Sequence, residues 1–127
     1  MKTILLADND KSERSRQKKM LSQLGYATVY EAGSIEQAID TYKARTPDLV
    51  IIRIEPPEKP SSDSDFNGIQ VLKALKDING SALFLMATHS GSDAIVIHAI
   101  QGGINEMVVL PLHPDRLKDA IKKLLGQ

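Results

Sequence analysis

Short apolar runs at 3–7, 27–31, 49–54, 82–87 and 106–110 recur along the chain, and an amphipathic segment follows each one. Such alternation predicts repeated strand–helix units, and so a parallel sheet covered on both faces. Several helix boundaries are written in the residues. Asp10, with Glu13 three positions later, predicts a capped first helix that stops at Gly25. Ser34 with Gln37 repeats the start signal, and Ile35, Ala38, Ile39 and Tyr42 form one apolar stripe on the second helix. The third helix is expected at 68–77 with Ile69, Leu72 and Leu75 inward, and the fourth at 92–101, ending at Gly102-Gly103. The fifth follows His113, with Pro114 in its first turn, where a missing N–H costs nothing. On the first helix, Glu13, Arg16 and Gln17 fall where apolar contacts with the sheet are expected. No internal repeat and no linker is visible, so residues 1–127 read as a single domain.

Composition narrows the function classes. At 127 residues and 42% hydrophobic, the chain can bury a core of its own. Basic and acidic residues balance at 16 each, which removes any bulk attraction to nucleic acid or an anionic membrane. The chain has no cysteine, hence no disulfide and no thiol chemistry, in keeping with a reducing cytoplasm. Asp8 interrupts the first apolar run too early for a signal-peptide core or a membrane span, so a cytoplasmic protein is expected. His89, His98 and His113 fall on different elements without ligand spacing, and the basic first helix (Lys11, Arg14, Arg16, Lys18, Lys19) reads as a solvated face. Only 4% of residues are aromatic, and no nucleic-acid motif is present. Segment 55–66 holds three prolines, three serines, and four acidic residues against one lysine, and is expected to be a mobile loop overhanging the third strand.

Taken together, four segments resemble the receiver domain of two-component response regulators, the CheY-like group. They are Ile4-Leu5-Leu6-Ala7-Asp8-Asn9-Asp10; Pro47-Asp48-Leu49-Val50-Ile51-Ile52-Arg53 with Pro57; Asn67-Gly68-Ile69-Gln70-Val71-Leu72; and Gly102-Gly103-Ile104-Asn105-Glu106 through Pro111. The resemblance runs in order over essentially the whole chain with one insertion. It implies a flavodoxin-like, doubly wound α/β fold: a five-stranded parallel sheet in the order 2-1-3-4-5 with helices on both faces.

Phosphoryl transfer to a carboxylate needs an aspartate nucleophile, a divalent cation, and donors that hold the phosphoryl oxygens in line. By resemblance, an acidic pair after strand one and an aspartate ending strand three hold Mg²⁺. Here the pair is Asp8 and Asn9, and the acceptor position is Arg53, a guanidinium that cannot act as a nucleophile. The family's hydroxyl residue at the end of strand four aligns with Ala87, with Thr88 next and expected to face the other way. The strand-five lysine has become Leu110 and the aromatic switch residue Met107. Glu55, just past Arg53, completes this degenerate site. An arginine about 4 Å from a divalent ion costs on the order of 8 kcal/mol at an effective dielectric of about 20. A millimolar metal site has only about 4 kcal/mol to lose, so Mg²⁺ is expected to be gone, with no other cofactor. Arg53 is expected to swing toward Asp8 instead.

The fourth helix, Ala94-Ile95-Val96-Ile97 followed by Ala99-Ile100, is apolar nearly all round. With Val96, Ile97 and Ile100 on the sheet, Ile95 and His98 would face outward near Met107. The resemblance makes the surface of helix four, strand five and helix five a protein-partner or homodimer face. It also implies a cis bond before Pro111. Two functions follow: a degenerate receiver acting as a phosphorylation-independent protein-interaction module, and a flavodoxin-like small-molecule or cofactor binder. Against the second, Asp8-Asn9-Asp10 is the reverse of a phosphate-wrapping loop. A conventional phospho-receiver using a non-standard site is the third alternative.

Overall fold

A computed structural model describes residues 2–55, 67–89 and 93–126. Its elements run β1 (Thr3–Ala7), α1 (Lys11–Gln23), β2 (Thr28–Ala32), α2 (Ile35–Arg45), β3 (Leu49–Arg53), α3 (Gly68–Ile78), β4 (Phe84–Thr88), α4 (Asp93–Gly102), β5 (Glu106–Val109) and α5 (Pro114–Leu125). The five strands are all parallel in the order β2-β1-β3-β4-β5, the doubly wound flavodoxin-like arrangement expected from the sequence. The expected 55–66 loop falls, beyond Glu55, outside the described residues.

Alternation along the strands divides the core in two. Leu5, Val50, Ile52, Phe84 and Met86 pack with Tyr42, Leu72, Leu75 and Ala99 from α2, α3 and α4. Ile4, Leu6, Leu49, Ile51 and Leu85 pack on the opposite face with Leu21, Leu117 and Ile121 from α1 and α5. Both faces of β1, β3 and β4 are thereby buried, which is why those runs are continuously apolar.

Helix ends follow the residues. Asp10 accepts from the Glu13 amide and Ser34 from the Gln37 amide, each closing one open N–H of a first turn. Gln37 reaches back to the Gly33 amide. At α3, Asn67 caps Ile69 and Gln70. Strand β4 starts later than the apolar run, because the Ala82 amide is spent on the Asn79 carbonyl in the turn after α3.

Two helices differ from expectation. In α1 the row Glu13, Gln17, Leu21 turns inward; Gln17 is buried and its amide donates to Glu13, which also takes Arg16, so the buried amide group is hydrogen-bonded within the helix. In α4, Ile95 and Ala99 are buried, whereas Ile97 and Ile100 are 54% and 60% exposed. Ile95 is therefore core, not partner face. The reason is close packing: Ile95, Ala99 and Gly102 fall on one face, and a Cβ on Gly102 would stand 2.8 Å from Leu72 Cδ2. Small residues let α4 approach α3, and an all-round apolar pattern hides that preference.

No helix among the described residues is long and apolar enough to cross a membrane.

Candidate functional site

In-register parallel strands bring the carboxyl ends of β1, β3 and β4 together. Ala7 lies opposite Ile52, and Arg53 opposite Ala87. The next residue after β1 is Asp8, only 2% exposed. Its backbone is fixed on both sides, with the amide donating to the Ala32 carbonyl and the carbonyl accepting from Arg14 Nη1. Asp8 Oδ1 accepts from the Asp10 amide at 2.9 Å and lies 3.5 Å from Arg53 Nη1, while Oδ2 is buried without a hydrogen-bond partner.

Burial pushes the Asp8 carboxyl above its ordinary range, against the opposing pull of the Asp10 amide and the Arg53 charge. A guanidinium at 3.5 Å pairs with the carboxylate without replacing its lost hydration. An ionised carboxylate with one orphaned oxygen is costly to hold.

Arg53 closes β3, and Gly68 at the start of α3 packs directly behind it. A Cβ at Gly68 would fall 2.2 Å from the Arg53 carbonyl oxygen, so only glycine fits. Besides Asp8, the guanidinium meets Glu55 Oε2 at 3.5 Å and His89 Nδ1 at 3.3 Å.

Glu55 is the most heavily bonded member of the cluster. Oε1 accepts from Thr88 Oγ1 at 2.6 Å and from the His89 amide at 2.7 Å, and Oε2 accepts from His89 Nδ1. Because a carboxylate only accepts, His89 Nδ1 donates its proton to Glu55, and Arg53 Nη2, itself only a donor, lies beside that nitrogen without a hydrogen bond to it. Burial pushes the Glu55 carboxyl up, but the bonds from Thr88 and His89, with the His89 charge, bring it below its ordinary value.

The remaining positions named from the sequence are dispersed. Ala87 takes no part in the polar cluster; it is buried in the α1/α5-side core. Thr88 does, because β4 runs to Thr88 and its hydroxyl turns to Glu55, which corrects the expectation that Ala87 marks this end of the site. Leu110 is buried in the same apolar layer as Ala87, and its amide donates to the Thr88 carbonyl. Met107 is half-buried against the α3/α4-side core, in register with Met86. Asn9 is exposed beside Asp8, and the Leu110-Pro111 bond is cis. His98 is exposed on α4, together with Ile97 and Ile100, and Val109 of β5 is 47% exposed.

Sequence reasoning did not foresee His89, nor the part Glu55 plays. Their meeting follows from strand order: once β3 and β4 are neighbours, residues two past Arg53 and two past Ala87 share one edge. For a divalent ion the cluster is a poor fit. It offers Asp8 with a guanidinium against it, and no group of three or more His, Cys, Asp or Glu among the described residues could hold a metal.

The chain is similar to known proteins over nearly its full length. It is 36% identical over 123 residues to a chemotaxis protein CheY of Bacillus subtilis, covering 97% of each chain. A two-component response regulator from Clostridium difficile superposes with a TM-score of 0.85 at 22% identity, covering 100% of this chain and 98% of that one. A chain of the CheX-CheY-BeF3-Mg+2 complex from Borrelia burgdorferi superposes with a TM-score of 0.84 at 18% identity, covering 99% of this chain and 90% of that one. Residues 4–122 match the response regulator receiver domain, and the chain belongs to that family of two-component signalling modules.

Proposed function

We propose that this chain is a receiver domain that takes up no phosphoryl group and works as a phosphorylation-independent protein-interaction module. The observation that carries this reading is Arg53: the residue ending β3 is a guanidinium paired with Asp8, where phosphoryl uptake needs a carboxylate. A second argument is electrostatic. Mg²⁺ would have to enter beside a fixed positive charge, with Asn9 in place of a second carboxylate. Thr88 is no substitute acceptor, since its hydroxyl is buried and already committed to Glu55. We assign the chain no enzymatic activity and no cofactor.

Its output is protein contact. In the Borrelia burgdorferi complex, CheY is found with BeF3, Mg²⁺ and CheX. For this chain the corresponding candidate is the surface of α4, β5 and α5, where Ile97, Ile100 and Val109 are exposed and His98 lies on the same helix. These side chains suit a protein partner or a second copy of the chain.

Beryllofluoride with Mg²⁺ tests the reading by NMR. The amides of Asp8, Arg53 and Thr88 are expected not to shift; saturable shifts at these positions would establish a working phosphoryl site and reject it.

A further inference from the structure

We propose that Glu55 is a built-in ligand: its carboxylate occupies an oxyanion cradle made by Thr88, His89 and Arg53, and thereby ties the segment leaving β3 to the end of β4. This rests on the reading that no phosphoryl group enters the site.

Every group around the carboxylate is a donor. Thr88 Oγ1 and the His89 amide converge on Oε1 at 2.6 and 2.7 Å. His89 Nδ1 and Arg53 Nη2 flank Oε2, the latter at 3.5 Å. A hydroxyl, a backbone N–H, an imidazole and a guanidinium around two oxygens form an anion site, and here the anion belongs to the chain itself. Bonds this short to a charged acceptor are stronger than neutral ones, and the three from Thr88 and His89 span two segments 33 and 34 residues apart. They tie the segment leaving β3 to the last residue of β4 and the residue after it.

Two further contacts link the latch to the rest of the molecule. The Thr88 carbonyl accepts from the Leu110 amide, joining the latched end of β4 to the end of β5. Arg53 serves both halves of the site, meeting Asp8 with Nη1 and Glu55 with Nη2. The arginine at the acceptor position thus balances the charge of the carboxylate that fills the cradle.

Amide hydrogen exchange on the full chain tests the proposal, with Glu55→Ala, Glu55→Gln and the wild type compared. In Glu55→Ala the His89 amide loses its acceptor and should exchange roughly ten-fold faster or more, the worth of a hydrogen bond to a charged group. The Leu110 amide, which donates to the Thr88 carbonyl, should follow, while Leu5 and Val50 in the central strands hold. Added sodium formate, a free carboxylate, should slow His89 again in Glu55→Ala. Glu55→Gln keeps a neutral acceptor and should fall between; if Glu55→Ala does not fold, the same comparison on Glu55→Gln decides. An unchanged His89 amide, an acceleration spread evenly over the sheet, a Leu110 amide that does not follow, or no response to formate overturns the proposal. None of these outcomes bears on phosphoryl uptake, which the beryllofluoride titration reads separately.

Discussion

Arg53 Nη1 stands 3.5 Å from Asp8 Oδ1, so the last residue of β3 supplies a permanent cation to the carboxylate that follows β1. The pairing crosses two adjacent strands whose ends are in register, Ala7 opposite Ile52. A charge that a bound ion would bring reversibly is here part of the covalent chain.

Replacing that cation with an acid should make the site depend on metal. Arg53→Asp sets a carboxylate beside Asp8 with Leu110 still in place of a lysine, and like charges in a buried site should cost about 1–3 kcal/mol at neutral pH. Mg²⁺ at about ten times its Kd should return about 1.4 kcal/mol to this variant, a Tm rise of roughly 3–6 °C. The wild type should show no Mg²⁺-dependent rise. Calorimetric melts with and without Mg²⁺ check this, and a variant insensitive to Mg²⁺ contradicts the proposed layout.

The two acids of the site should act on stability in opposite directions. Asp8 is held above its ordinary 3.8 in the fold, so its contribution is greatest below that value and is lost as pH rises through the raised one. Glu55 is held below its ordinary 4.5, so its contribution is present above 4.5 and is lost as pH falls through the lowered one. At pH 7, Asp8→Asn should be more stable than the wild type and Glu55→Gln less stable. The Asp8 difference should shrink as the pH falls through the raised value and be gone below 3.8, whereas the Glu55 difference should begin to shrink only as the pH falls below 4.5. Urea unfolding across that range measures them, and parallel curves for the two variants contradict the assignment.

On α4, stability and recognition should separate by residue. Ile95→Ala removes a core side chain and should cost about 2–4 kcal/mol. Ile97→Ser and Ile100→Ser alter exposed positions and should stay within about 0.5 kcal/mol of wild type. Denaturant midpoints give the comparison; a large loss at Ile97 would place it in the core after all.

Much of the fold was legible because both of its signals are local. Asp10 and Ser34 announce helix starts by their own chemistry, and the continuous apolar runs of β1, β3 and β4 state that both faces are covered. The orientation of α4 was not legible, since Ile95 and Ile97 are the same residue type and only the fit of Gly102 against Leu72 decides between them. In the site, Arg53 and Asp8 could be paired from strand order and charge alone. Glu55 with Thr88 and His89 could not, because their meeting depends on where β4 ends, and one residue of strand length decides whether Ala87 or Thr88 closes it.

The central claim is that a guanidinium has ended phosphoryl uptake at this site. Intact-mass spectrometry after incubation with acetyl phosphate and Mg²⁺ tests it most directly. The mass is expected to remain that of the unmodified chain, whereas a stable gain of one phosphoryl group on an aspartate or on Thr88 would contradict it.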